Sequence, residues 1–354
     1  MRRALMAAGL AAATLLAGGM AAGCASSGSS SSGAGSGGSA PVTLRLGFLV
    51  NITHASALVG IKEGLFTKDL GHGVTLKLTP FSTGTEESTA LLAGQLDAAY
   101  VGPNPAIKAW QTSDGRLIKV ISGAASAGAA LVVKPSITSA SQLKGQSLAT
   151  PSLGNTQDVA LRYWLKQHSL TATTTGGGNV SVKPVSPNSA AVLEFKSGQI
   201  AGGWEPAPYD IEMVQDGGHV LVNEASLWPA GQFVTTNLVV TQSFLAAHPA
   251  AVSGLLQGQI DANNFIHQHP AAAQAAANAE LTSVLGKGLK PSVLAASFQQ
   301  ITFTNNPVAS SLSADAQHAV DVGLLSPVKN LSALYDLGPL NQLLAKAGEQ
   351  QVSP

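Results

Sequence analysis

Gly94-Gln95-Leu96-Asp97-Ala98-Ala99-Tyr100-Val101-Gly102-Pro103-Asn104-Pro105 reads as a helix end, a short buried strand and a break at Gly-Pro into a new helix. The stretch has an echo later in the chain. Gly198-Gln199-Ile200-Ala201-Gly202-Gly203-Trp204-Glu205-Pro206-Ala207-Pro208 repeats the Gly-Gln, the small-residue strand and the aromatic before the turn. An apolar helical run precedes each copy, Thr89 to Ala93 in one and Ala190 to Phe195 in the other. Two similar lobes are the simplest account. In sheets of βα units, ligands sit beyond the carboxyl ends of strands, where the following helices present free N–H groups. Tyr100 to Asn104 and Trp204 to Glu205 are therefore expected to face one another across a cleft.

The chain has 354 residues, enough for two domains, and its 45% hydrophobic content can fill their cores. Lys plus Arg and Asp plus Glu are equal at 19 each, so no summed field attracts nucleic acid or an anionic membrane. Ala-rich helical segments alternate with β-rich runs at Val42 to Val50, Val74 to Leu78, Ile118 to Ile121 and Thr235 to Val240, which points to an α/β fold. Gly64 is expected to stop the helix that ends at Glu63, and Glu86 and Glu87 to open the next. Asn188 is expected to cap the helix before the echo. The pliant stretch Ser122 to Gly128 reads as a crossing into the second lobe, and Phe233 to Val240 as the return. Two crossings make a hinge on which lobes can close. From Thr241 onward the chain is mainly helical and is expected to pack on the first lobe.

Arg2 and Arg3 precede a mostly apolar run from Ala4 to Ala22, a secretory signal pattern. The run ends at Ala21-Ala22-Gly23-Cys24, which resembles a bacterial lipobox, with Ala21 where Leu is usual. The alternative is a simple membrane anchor of about 20 residues. Cys24 is the only cysteine, so it has no internal disulfide partner, and lipidation is the preferred reading. The Ser, Gly and Ala of residues 25–40 form a flexible tether. The expected organisation is a signal peptide at 1–23, a lipidated cysteine and tether at 24–40, a first lobe from 41–125 and 236–354, and a second lobe at 126–235.

These features together resemble the extracytoplasmic solute-binding proteins of ABC importers, in the branch serving aliphatic sulfonates, taurine and nitrate. The resemblance rests on the lipobox and tether, Leu44-Arg45-Leu46-Gly47 with Thr53-His54-Ala55, Ala93 to Ala99, Gly102-Pro103-Asn104-Pro105, Leu143-Lys144-Gly145, Gly154-Asn155-Thr156-Gln157 and Gly203-Trp204-Glu205-Pro206. It implies a two-lobed, periplasmic-binding-protein-like fold of type II, with one ligand between the lobes. It also implies a small organic anion as ligand, permease and ATPase subunits as partners, anchoring outside the cytoplasm, and a monomer. In the second copy Ala201 stands where an Asp is usual.

A sulfonate offers only acceptor oxygens, so its site must supply donors, and helix N-termini do so without formal charge. Candidate contacts are Asn51, Thr53, His54, Thr83, Gly84, Gly102, Asn104, Asn155 and Thr156, with Trp204 and Glu205 from the second lobe. Each has a second reading. Asn104, Asn155 and Thr156 also suit helix caps, His54 also suits a turn, and Tyr100 and Trp204 are either pocket walls or core aromatics. Glu205 either stabilises a helix start ahead of Pro206 or meets an ammonium group such as that of taurine.

An enzyme is the competing class. The same fold occurs in a thiamine-pyrimidine synthase that uses a cysteine-rich motif, and this chain holds no cysteine beyond Cys24. His267 and His269 lie two apart on a helical run and point different ways, so no metal or cofactor site is expected. Anions of the nitrate and bicarbonate kind, or a sensory role on the same fold, remain alternatives to sulfonate import.

Overall fold

The computed structural model describes residues 41–354, and the expected signal peptide, Cys24 and tether lie outside them. Strands form where short apolar runs follow turns. In chain order they are β1 (Val42–Leu49), β2 (Val74–Phe81), β3 (Ala98–Val101), β4 (Ile118–Ala127), β5 (Ala129–Val133), β6 (Ser147–Thr150), β7 (Ser181–Pro184), β8 (Gly202–Pro206), β9 (His219–Asn223), β10 (Val234–Thr241) and β11 (Ile301–Phe303). They build a six-stranded sheet, β11-β4-β10-β3-β1-β2, and a five-stranded sheet, β7-β6-β8-β5-β9. β1 runs parallel to β2 and β3, while β10 is antiparallel to both β3 and β4. In the second sheet β6 is parallel to β7 and β8, and β5 is antiparallel to β8 and β9.

The chain passes from the first sheet to the second between Ala127 and Ala129. Ala127 and Gly128 both take positive φ there, 66° and 84°, and a Cβ on Gly128 would lie 2.4 Å from Ile301 Cγ1. Only glycine meets both demands. The return is β10, which enters the middle of the first sheet. Helices Pro249–Gln268 and Pro270–Leu285 then cover one face of that sheet, packing on helices Ala55–Lys62 and Leu65–Leu70.

The sequence echo is a backbone repeat. Gly94 and Gly198 both end helices in the left-handed region, φ 67° and 80°. Asp97 N–H donates to Arg45 O and Thr241 N–H to Asp97 O; in the second lobe Ala201 N–H donates to Ser147 O and Lys134 N–H to Ala201 O. The side chains explain the substitution at Ala201. Asp97 takes a forked bond from Arg45, Nη2 to Oδ1 at 2.6 Å and Nε to Oδ2 at 2.8 Å. At the place matching Arg45 in the second lobe stands Ser147, which has no guanidinium to donate to a carboxylate.

Strand alternation corrects the expected partnership of the two aromatics. Tyr100 falls on the face of β3 toward the first core cluster, fully buried, and its hydroxyl donates to Gln259 Oε1 at 2.6 Å. Trp204 is equally buried in the second lobe, edge-on to Trp164, with Nε1 donating to Glu224 Oε2 at 2.6 Å. Neither walls a cleft. Asn188 is likewise not a cap: Pro187 holds the cap position, and Asn188 Nδ2 donates to Glu205 Oε2 at 3.0 Å.

Two outcomes follow for the second core. Trp204→Ala should cost about 3–5 kcal/mol in denaturant unfolding, because it leaves a cavity and orphans Glu224. Burial raises the Glu224 carboxyl to about 7, whereas in the unfolded chain it titrates near about 4.3. The folded protein binds the extra proton between these values, so stability is held below the lower one and lost as pH rises through the upper. Glu224→Gln keeps an acceptor for Trp204 and removes that proton. Its melting temperature should exceed that of the parent at pH 8, by about 1–3 kcal/mol of stability, with the gap closing by pH 4.

Candidate functional site

The N-termini of helices meet where the lobes touch. Asn51 precedes the turn Ile52–His54 and helix Ala55–Lys62, Thr83 caps helix Gly84–Leu92, Gly102 precedes helix Pro103–Thr112, and Asn155 caps helix Thr156–Gln167. These turns follow the carboxyl ends of β1, β2, β3 and β6. Each helix start leaves backbone N–H groups without an intrahelical acceptor. Pro103 and Pro105 have no N–H to offer, so the third helix brings chiefly a close backbone approach.

A cavity of about 20 Å³ lies at the meeting point. From the first lobe it is lined by Leu49, Asn51, Thr53, His54, Gly84, Gly102, Pro105 and Thr235, and from the second by Asn155, Thr156, Gln157 and Pro206. None of these carries a formal charge at neutral pH. Larger hollows, of about 620 Å³ beside Trp110 and about 440 Å³ beside Asn263, are bounded by the first lobe alone and lie away from these turns.

The lobes hold each other around the cavity. Ile52 N–H donates to Ala207 O at 3.1 Å, and the Tyr209 hydroxyl to Val50 O at 3.1 Å. Thr85 and Ser152 share a hydroxyl bond of 2.9 Å. Farther out, the Tyr163 and His318 rings stack with centroids 3.6 Å apart, and Lys166 Nζ donates to Asp321 O at 2.6 Å.

Individual side chains are set by local bonds. His54 Nδ1 accepts from Leu49 N–H at 3.2 Å, which leaves the ring proton on Nε2. Burial pushes its pKa down to about 3, so the ring is a neutral donor at physiological pH. Thr53 Oγ1 donates to Asn51 Oδ1 at 2.7 Å. Asn155 is both cap and lining residue: Oδ1 accepts from Asp158 N–H at 3.0 Å, and Nδ2 donates to Gln157 Oε1 at 3.1 Å. Behind this turn Asp158 is bound by Thr150 Oγ1, Gly154 N–H and Arg162 Nε, each at 2.9 Å. A buried ion pair thus fixes the loop that carries Asn155 and Thr156.

The structure brings together Asn51, Thr53, His54, Gly84, Gly102, Asn155 and Thr156 of the expected residues, and turns four away. Thr83 is not among the lining residues, and its hydroxyl oxygen accepts from Glu86 N–H at 3.2 Å. Asn104 Nδ2 donates to Asp315 O at 3.2 Å, toward helix Ala309–Asp321. Trp204 lies in the core, and Glu205 is buried against Asn188 with its pKa raised well above the usual range by burial and by Asp210. Leu49, Pro105, Gln157, Pro206 and Thr235 join the lining without having been expected there. Gln157 was legible as the neighbour of Asn155-Thr156. Thr235 comes from the returning strand and has no local signal. Among the described residues no group of His, Cys, Asp and Glu is arranged to hold a metal.

The sequence model of the NMT1-like family matches residues 37–281. A putative binding protein of Brucella abortus (strain 2308) is 25% identical over 232 residues, covering 65% of this chain and 68% of its own. The taurine-binding periplasmic protein of Escherichia coli (strain K12) is 25% identical over 225 residues, covering 60% and 65%. The alkanesulfonate-binding protein of Xanthomonas axonopodis pv. citri, solved with MOPS bound, superposes with a TM-score of 0.69 at 18% identity over 84% of this chain and 98% of its own. The chain therefore has the two-lobed fold of that binding protein.

Gly102 tests whether the lobes must meet at this point. Its backbone, φ −66° and ψ 158°, accepts any side chain, but a Cβ would lie 2.7 Å from Thr156 Oγ1 across the cleft. Gly102→Ala should lower affinity for a small anion at least tenfold in calorimetric titration, with little change in the melting temperature of the free protein. Thr156→Ala in that background should recover part of the loss.

Proposed function

We propose that this chain, which belongs to the NMT1-like family, is the solute-binding component of an ABC importer and captures a small organic anion of the aliphatic sulfonate or taurine type between its lobes. The observation that carries the reading is the convergence of helix N-termini from both lobes on a cavity lined by uncharged donors. Such a site holds a single negative charge with oriented dipoles and hydrogen bonds of about 1 kcal/mol net each, and is poorly provided for a dianion. The relatives named for binding taurine and alkanesulfonate support the ligand class.

The present cavity has room for about one water molecule. In this reading the lobes part to admit the anion and close on it, turning about the crossings at Ala127–Ala129 and the start of β10. The closed form is then what permease and ATPase subunits engage, and Cys24 carries the lipid that keeps the protein outside the cytoplasm at the membrane. No residue in the cavity is arranged as nucleophile and base, so capture rather than chemistry is the proposed task. Nitrate is the second reading, favoured by the small cavity.

The test is a thermal-shift screen of the chain from Pro41 onward, a span that lies within one compact unit. Alkanesulfonates, taurine, nitrate, bicarbonate and sulfate are the ligands. An anion at 100 times its Kd should add about 2.7 kcal/mol, seen as a raised melting temperature. Monoanions should shift it and sulfate should not. A flat response to every anion would remove the ligand class.

A further inference from the structure

We infer that this cavity discriminates against an ammonium group, so that between sulfonates of equal length it takes the alkanesulfonate in preference to the aminosulfonate. The inference rests on the anion-capture reading and narrows its substrate class. It stands on the direction in which the lining groups are held and on the whereabouts of the neighbouring carboxylates.

Two lining side chains have their orientation fixed by backbone N–H groups, which cannot reverse roles. Asp158 N–H donates to Asn155 Oδ1, so Asn155 must turn Nδ2 toward Gln157. Gln157 can receive that donor only through Oε1, which leaves Nε2 as its unspent end. Leu49 N–H donates to His54 Nδ1 and leaves Nε2–H unspent in the same way. Both side chains are more than nine-tenths buried and both line the cavity. The acceptor ends of these groups are occupied from behind, and donors are what remains.

None of the carboxylates on the elements that build the site lines the cavity. Asp158 binds Thr150, Gly154 and Arg162. Glu205 Oε2 accepts from Asn188 Nδ2, and burial raises its pKa well above the usual carboxylate range. Glu86 Oε2 accepts from Ser82 N–H, and Glu87, whose two oxygens have no hydrogen-bond partner, is buried on the β1 side, where a Cβ on Gly47 would lie 2.8 Å from Oε1. The side-chain acceptors left at the cavity are neutral: the hydroxyl oxygens of Thr53, Thr156 and Thr235 and the amide oxygen of Asn51, with the Thr53 and Thr235 O–H groups donating to Asn51 Oδ1 and Ala127 O. Neutral oxygens do not replace the hydration of an ammonium, which would also sit among the positive ends of several helices. A methyl group in its place meets Leu49, Pro105 and Pro206.

Propane-1-sulfonate and taurine test this directly, since they differ in a terminal methyl against a terminal ammonium on the same two-carbon spacer. Calorimetric titration of the chain from Pro41 onward at pH 7 should give at least tenfold tighter binding of propane-1-sulfonate. Gln157→Glu keeps an oxygen for Asn155 and replaces the unspent N–H₂ by a carboxylate oxygen. It should weaken propane-1-sulfonate at least tenfold and shrink or invert the preference. Taurine binding as tightly as propane-1-sulfonate in the parent protein would overturn the inference and leave anion capture standing. Binding of neither, nor of nitrate, would overturn both.

Discussion

A helix cannot satisfy its own first N–H groups, and this structure depends on where those of its helices are sent. At Gly84–Leu92 and Thr156–Gln167 the cap side chains, Thr83 and Asn155, each take one N–H. The remaining donors meet from opposite lobes. Surfaces so similar in polarity do not satisfy each other, and in the proposed function it is the anion's acceptor atoms that stand between them. That single mismatch sets the small uncharged lining, the close approach at Gly102, and the buried Asp158–Arg162 pair that keeps the second lobe's turn in place.

Much of this was legible in the sequence because it is encoded locally. Strand runs such as Val42–Leu49 and Ala129–Val133 declare themselves by β-branched and apolar content, and the turns after them by Asn, Thr and Gly. The Gly-Gln echo was legible for the same reason, and its meaning proved architectural: the two copies make the same backbone bonds. What they do not share is a ligand role for their aromatics. The side of a strand on which Tyr100 or Trp204 emerges depends on register with neighbours distant in sequence, and in both cases that register leads into a core.

The remaining differences have the same origin. Asn104 looked like a cap in a turn, but helix Ala309–Asp321 offers it a carbonyl. Glu205 looked available, but Asn188 from the preceding helix reaches it first. Thr235 reaches the cavity because β10 returns antiparallel between β3 and β4, so its beginning lies beside their ends. A partner supplied from elsewhere in the chain decides each of these positions.

That placement of β10 also orders how the molecule is made. The second sheet is continuous in sequence from β5 to β9, so all its pairings close within that one span of chain. The first sheet is interrupted at its centre, and β3 has no neighbour on the β4 side until the chain has run through the whole second lobe. Its contact order is therefore much the higher of the two, and the strand edges at β3 and β4 stay exposed while they wait. A chain emerging from its N-terminus would complete the second lobe before the first, and its early aggregation hazard lies in those two unpaired edges.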